Sequence, residues 1–282
     1  MTVQAERVGV PAATHGEGPC WDAAQQALYW VDIRDGRVLR MDARGSLATW
    51  DVGQAVGAVA PRASGGFVVA AKDGFLALDP ASGGMITLAA VEQDRPENRM
   101  NDGACDRAGR FYAGTMADDE RSRDGALYRL DPDLRVTTLL TGVGISNGIG
   151  WSPDERLMYY VDSLDHQVDV FDYDPAAGEI DGRRRFAAVG QAGVVPDGLT
   201  VDADGGVWVA VWGGGAVLRY DPGGRMRQVI ELPAVNVTSC AFGGAALDRL
   251  YITSAAGPGA SAGALFACEP GVTGQPSHPF RG

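Results

Sequence analysis

Leu28-Tyr29-Trp30-Val31 opens a unit that closes on Met41-Asp42, and the same unit returns five more times along the chain. The later openings are Phe67-Val68-Val69-Ala70, Phe111-Tyr112-Ala113-Gly114, Met158-Tyr159-Tyr160-Val161, Val207-Trp208-Val209-Ala210 and Leu250-Tyr251-Ile252-Thr253. Their starts lie 39, 44, 47, 49 and 43 residues apart. The later units close on Leu78-Asp79, Leu130-Asp131, Tyr173-Asp174, Tyr220-Asp221 and Cys268-Glu269, each followed by Pro. A period of roughly 40–50 residues holds four short strands and three turns, the size of one propeller blade. A helical solenoid would need apolar residues three and four apart, and these runs are too short and too β-branched. Asp35-Gly36, Asp73-Gly74 and Asp124-Gly125 are turn pairs that join the second and third strands of their units. The expected fold is therefore all-β: a six-bladed β-propeller with four-stranded blades, residues 1–282 forming one domain. Residues 3–9 precede the first blade and are expected to add an outer strand to the last one, which leaves no open edge.

Composition agrees. The 282 residues include 40 Gly and 15 Pro, which suits many tight turns, and 45% apolar residues, which suits a packed core. A net charge of −12 repels phosphate backbones and argues against a nucleic-acid partner. No apolar stretch approaches the ~18 residues of a membrane span. The opening Met1-Thr2-Val3-Gln4-Ala5-Glu6-Arg7 lacks the basic-then-apolar pattern of a secretion leader, so a cytoplasmic location is expected. Cys20, Cys105, Cys240 and Cys268 form no C-x-x-C pair; a reduced, buried set is expected rather than disulfides or a zinc site. Oligomeric state has no signature in the sequence.

The repeat also places the chemistry. Counting back 10 or 11 residues from each run lands on the innermost strand, at Glu17, Val56 or Gly57, Asn101, Asn147, Asp197 and Ser239. Equivalent positions of a ring of repeats meet around its axis. Asn-Gly and Asp-Gly also suit simple turns, but four polar residues at one register, Glu17, Asn101, Asn147 and Asp197, point to a site at one mouth of the channel. Carboxylates and amide oxygens are hard ligands that suit Ca²⁺, Mg²⁺ or Mn²⁺; with no His at these positions, Zn²⁺ is less suited. Three protein ligands leave room for water and substrate, and an open-sided ion can polarise a carbonyl.

The segments Gly16-Glu17-Gly18-Pro19, Arg99-Met100-Asn101-Asp102-Gly103, Ala113-Gly114-Thr115-Met116, Ser146-Asn147-Gly148 and Pro196-Asp197-Gly198 resemble, in order, the SMP-30/gluconolactonase/regucalcin family. Trp151-Ser152-Pro153-Asp154 and Ser239-Cys240-Ala241-Phe242-Gly243-Gly244 resemble it too. The resemblance implies a six-bladed propeller that binds one divalent ion, Ca²⁺ first, with Mg²⁺, Mn²⁺, Zn²⁺ or Fe²⁺ as alternatives. It implies Glu17, Asn147 and Asp197 as metal ligands, Asp197 also as general base, and Arg99 and Asn101 as holders of substrate oxygens. Asp102 falls in the same motif. Some members contact substrate through a Glu after Ala-Gly-Thr-Met; the matching residue here is Asp119, one methylene shorter. The implied activity is hydrolysis of a sugar lactone to its aldonic acid. A divalent-cation-binding protein with no main catalytic role is the alternative, and an esterase or phosphotriesterase a third reading. The sugar and its ring size stay open.

Other signals have plainer readings. Gly144-Ile145-Ser146-Asn147-Gly148 fits G-x-S-x-G, but a β-rich segment follows where that motif needs a helix, so Ser146 reads as a turn residue. Asp202-Ala203-Asp204-Gly205-Gly206 lacks the later ligands of a calcium loop and reads as a hairpin turn. Arg183-Arg184-Arg185 reads as a solvated face. His15 stands two residues before Glu17, and Trp212 follows a second strand in Val211-Trp212-Gly213-Gly214. Either can reach the rim of the site, and Trp212 could stack there on a sugar face.

Overall fold

The structure is a computed structural model that describes residues 3–191 and 193–282. It contains six four-stranded antiparallel sheets arranged as the blades of a propeller. Blade 1 runs Gly16–Asp22, Ala27–Asp32, Arg37–Asp42 and Leu47–Asp51. The first strands of the other blades are Val56–Pro61, Asn98–Cys105, Ser146–Trp151, Val195–Val201 and Val237–Gly243. Each first strand touches those of its two neighbours, and the last touches the first, so these six strands line the axis. Glu6–Arg7 pairs with Phe266–Cys268, giving blade 6 its outermost strand from the start of the chain.

The second strands are the apolar runs that set the repeat. Ala27–Asp32, Phe67–Ala71, Phe111–Ala117 and Val207–Trp212 are buried almost throughout, because both faces pack against neighbouring blades. That two-sided burial makes the runs continuous rather than alternating. Fourth strands such as Leu47–Asp51 and Met226–Glu231 sit at the periphery and are largely exposed. The core is accordingly a ring of apolar clusters between blades; Trp208, Phe242, Ile252 and Phe266, for example, join blades 5 and 6.

Every axial strand is bulged at one level. Pairing slips at Glu17/Cys20, Val56/Ala58, Met100/Gly103, Ser146/Ile149, Pro196/Leu199 and Val237/Ser239. A bulge frees a residue from the ladder and re-aims its side chain. The out-of-ladder residues are Gly18-Pro19, Gly57, Asn101-Asp102, Asn147-Gly148, Asp197-Gly198 and Thr238. The sixth ring position is thus Thr238, one residue before Ser239, because a fixed count ignores the slip. Blade 2 presents Gly57, where a Cβ would collide with the Asn101 backbone.

Residues after Cys268 cross the opposite end of the channel. Gly274 bridges Asp202, Gln275 Nε2 donates to the Trp151 and Val201 carbonyls, Arg281 N donates to Gly109 O, and Phe280 is fully buried beside blade 2. Between this segment and the ring lies a cavity of about 150 Å³, lined in part by Cys20, Cys105, Cys240 and Asp102. All four thiols are free; Cys240 and Cys268 are buried, whereas Cys20 and Cys105 are only half-buried. Ser146 is not in a turn: it begins an axial strand, is fully buried, and accepts a 2.8 Å hydrogen bond from the Tyr160 hydroxyl. Asp202 closes a turn by accepting from the Asp204 and Gly206 amides. Arg183 pairs with Asp165 and Asp169, and Arg184 with Asp172.

Candidate active site

Four bulged axial strands bring Glu17, the last paired residue before its bulge, together with the out-of-ladder Asn101, Asp102, Asn147 and Asp197, all buried. Glu17 and Asp197 face each other within hydrogen-bond reach. Gly18 N donates to Glu17 Oε2 at 2.7 Å, and Gly103 N to Asp102 Oδ1 at 2.7 Å. Burial pushes the Glu17 carboxyl well above the usual range, and the Asp197 and Asp102 charges push it further. Asp197 is raised for the same reasons, burial first and then Asp102. Asp102 is raised by burial to about 6. Burial and mutual repulsion thus disfavour full ionisation of the three carboxyls, and a bound cation would relieve both.

A chain of hydrogen bonds fixes the amides across three blades. Arg99 Nη1 donates to Asn101 Oδ1 at 2.6 Å. Asn101 Nδ2 donates to Ser146 O at 2.7 Å and lies 3.3 Å from Asn147 Oδ1. Asn147 Nδ2 donates to Ser163 Oγ at 3.0 Å, and Ser163 Oγ donates to Pro196 O at 2.7 Å, next to Asp197. Engaging the Asn147 nitrogen with Ser163 leaves its oxygen to accept from Asn101. Sequence reading missed Ser163. Its signal is the hairpin partner of Ser146, Asp162, which it directly follows.

Among the described residues, no three His, Cys, Asp or Glu side chains are spaced to hold a metal ion by themselves. The amide oxygens of Asn101 and Asn147 belong to the same buried ring as the Glu17–Asp197 pair. The acidic and amide side chains of the ring are oxygen donors, and three buried carboxyls stand against the one buried guanidinium of Arg99. Both features fit a hard divalent cation.

Arg99 is buried, and burial lowers its pKa, with Arg34 adding repulsion. Its Nε lies 3.7 Å from Asp118 Oδ1. Asp119 is not brought to the ring. It is exposed, and its carboxylate closes its own turn by accepting from the Arg121 amide, the Ser122 amide and the Ser122 hydroxyl. Those bonds hold its pKa down at about 2. Asp118 is the acid of this loop that approaches Arg99, and Glu120 reaches Arg34 at 3.5 Å. At the rim, His15 stacks on Trp212 with ring centroids 5.5 Å apart and planes 26° apart. Burial lowers the His15 pKa to about 4, with Arg99 and then Arg34 contributing, so its imidazole is neutral near pH 7.

Known proteins share this architecture. The model of the SMP-30/Gluconolactonase/LRE-like region matches residues 15–256. Regucalcin of Gallus gallus is 39% identical over 297 residues, covering 100% of this chain and 99% of that protein. The solved structure of a regucalcin from Agrobacterium tumefaciens, described as a calcium-binding protein, superposes with a TM-score of 0.94 at 29% identity, covering 100% of this chain and 99% of that one. A gluconolactonase of Xanthomonas campestris superposes with a TM-score of 0.77 at 26% identity, covering 92% of this chain and 86% of that one.

Proposed function

The chain belongs to the SMP-30/gluconolactonase/LRE-like family, and from that premise we propose that it hydrolyses a sugar lactone to the aldonic acid. The observation that carries this reading is the meeting of two kinds of group in one buried ring. Glu17, Asn147 and Asp197 offer oxygen ligands, while Arg99 sets a guanidinium beside them and Asn101 links it to Asn147. A protein that only stored cations would have no need of a buried guanidinium next to its ligands.

Glu17, Asn147 and Asp197 would hold the cation, with Ca²⁺ the first choice for an oxygen-only set. When bound, such an ion polarises a carbonyl oxygen and stabilises the negative charge that develops on it. Arg99 and Asn101 bind hydroxyl or carbonyl oxygens and fix the pose of the lactone ring. The Asp197 carboxylate takes a proton from the attacking water, whose oxygen bonds to the carbonyl carbon. The ring C–O bond then breaks, and the proton passes to the departing ring oxygen to give a free hydroxyl. A lactone is already a reactive ester, so no covalent nucleophile on the protein is needed. Cation-dependent release of acid from aldonolactones tests the proposal; tight cation binding without hydrolysis of any lactone would favour the ion-binding alternative.

A further inference from the structure

The stacked pair at the rim sits in a register that gives it a role. Trp212 pairs with Val195, two residues before Asp197 on the same axial strand. His15 is two residues before Glu17 and bridges Ala255 of blade 6. Along the axial strands both positions precede the acids, on the side away from the crossing segment at residues 275–278. Both rings therefore stand one step further toward the mouth than the two acids. Their stack spans from blade 5 to blade 1 above blade 6. In a ring of six, blade 6 lies opposite blade 3. There the residue two before Asn101 is Arg99, so the mouth has a flat aromatic side and a guanidinium side with the acids below.

The stack is rigidly placed yet open. Asp32 accepts from the Thr14 and His15 amides at 2.7 and 2.9 Å, which holds His15 through its backbone and leaves the imidazole on Trp212. Directly after Trp212 the chain turns at Gly213, whose φ is +75° and where a Cβ would collide with the Gly193 carbonyl. Both rings remain half-buried rather than covered. A flat aromatic surface suits the C–H face of a cyclic polyol, whose hydroxyls project at its edges. We infer that the His15–Trp212 stack is a specificity wall that carries the C–H face of the lactone ring while Arg99 takes oxygens on the opposite side. This rests on the lactonase reading for its substrate and on the register for its place.

The probe is an aldonolactam, the amide isostere of the lactone, added to the cation-loaded full chain while tryptophan emission is followed. Wild type is expected to show a saturable change that Trp212→Ala loses. In lactone hydrolysis, Trp212→Ala is expected to raise KM about ten-fold with kcat within about two-fold, and Trp212→Tyr to recover most of the loss. Calorimetric cation binding equal to wild type would show that the ring in Trp212→Ala is intact. An emission change in Trp212→Ala equal to that of wild type, or none in either, overturns the wall. Hydrolysis with KM independent of Trp212 overturns the wall and leaves the lactonase standing. A Trp212-dependent lactam signal in a chain that hydrolyses no lactone supports the wall and removes the hydrolytic reading.

Discussion

At the scale of single residues, Asp197 carries two roles, cation ligand and proton acceptor, and a substitution can separate them. Asn keeps an oxygen at the same distance from the backbone but cannot accept a proton at neutral pH. Asp197→Asn is therefore expected to lower kcat by about 10²–10⁴-fold while still binding a cation. Near-normal turnover at full cation occupancy would remove Asp197 from the base role. Asp119 shows how a motif read along the chain can mislead. Its spacing after Ala113-Gly114-Thr115-Met116 is right, yet the turn beyond Ala117 directs its carboxylate onto Arg121 and Ser122, and Asp118 is the acid that reaches toward Arg99. Ser163 was invisible for a different reason. Its partners, Asn147 and the Pro196 carbonyl, lie on two separate axial strands, and no local pattern announces that meeting.

At the scale of elements, the bulged axial strand is the device that builds the site. The repeat made this strand legible, because the apolar second strands fix a period and the polar residues fall at one register of it. The slip itself was not legible, and it moved the sixth position from Ser239 to Thr238, whose hydroxyl donates to Gly16 O at 2.6 Å and ties blade 6 to blade 1. Glycines at the bulges let neighbouring strands approach. At Gly148 a Cβ would lie 2.5 Å from Leu199 N and 2.9 Å from Asp197 O. Gly148→Ala must therefore push blade 5 away from blade 4 where Asn147 and Asp197 meet. A loss of about 1–3 kcal/mol in unfolding free energy is expected, together with weaker cation binding in calorimetry. Unchanged stability and affinity would mean that the two strands are not held in this close register.

At the scale of the whole molecule, the ring of acids couples stability to pH and to the cation. A carboxyl raised in the folded state stabilises fully below its unfolded pKa, and that contribution is lost as pH rises through the folded value. For Asp102 the window runs from 3.8 to about 6, and Glu17 and Asp197, raised well above their ordinary values, extend it upward. His15, lowered from 6.5 to about 4, acts the other way between those values. Comparing cation-loaded with stripped protein at each pH removes the share of His15. The Tm gained on loading is therefore expected to grow from pH 5 to pH 8; a gain that is flat or shrinks would contradict an ion held by Glu17 and Asp197 beside Asp102. The closing strand at Glu6–Arg7 and the crossing segment around Gln275 and Phe280 bind the blades into one ring around that centre. The crossing segment carries no repeat and no motif, so nothing in the sequence pointed to it.

The most direct test of the central claim is acid release from a panel of pentono- and hexonolactones. Chelator-stripped protein would be assayed alone and after return of Ca²⁺, Mg²⁺, Mn²⁺, Zn²⁺ or Fe²⁺ singly. The account predicts hydrolysis above the spontaneous rate that disappears on stripping and returns with a divalent ion. Rates equal to the spontaneous rate for every lactone, with the cation demonstrably bound, would contradict it.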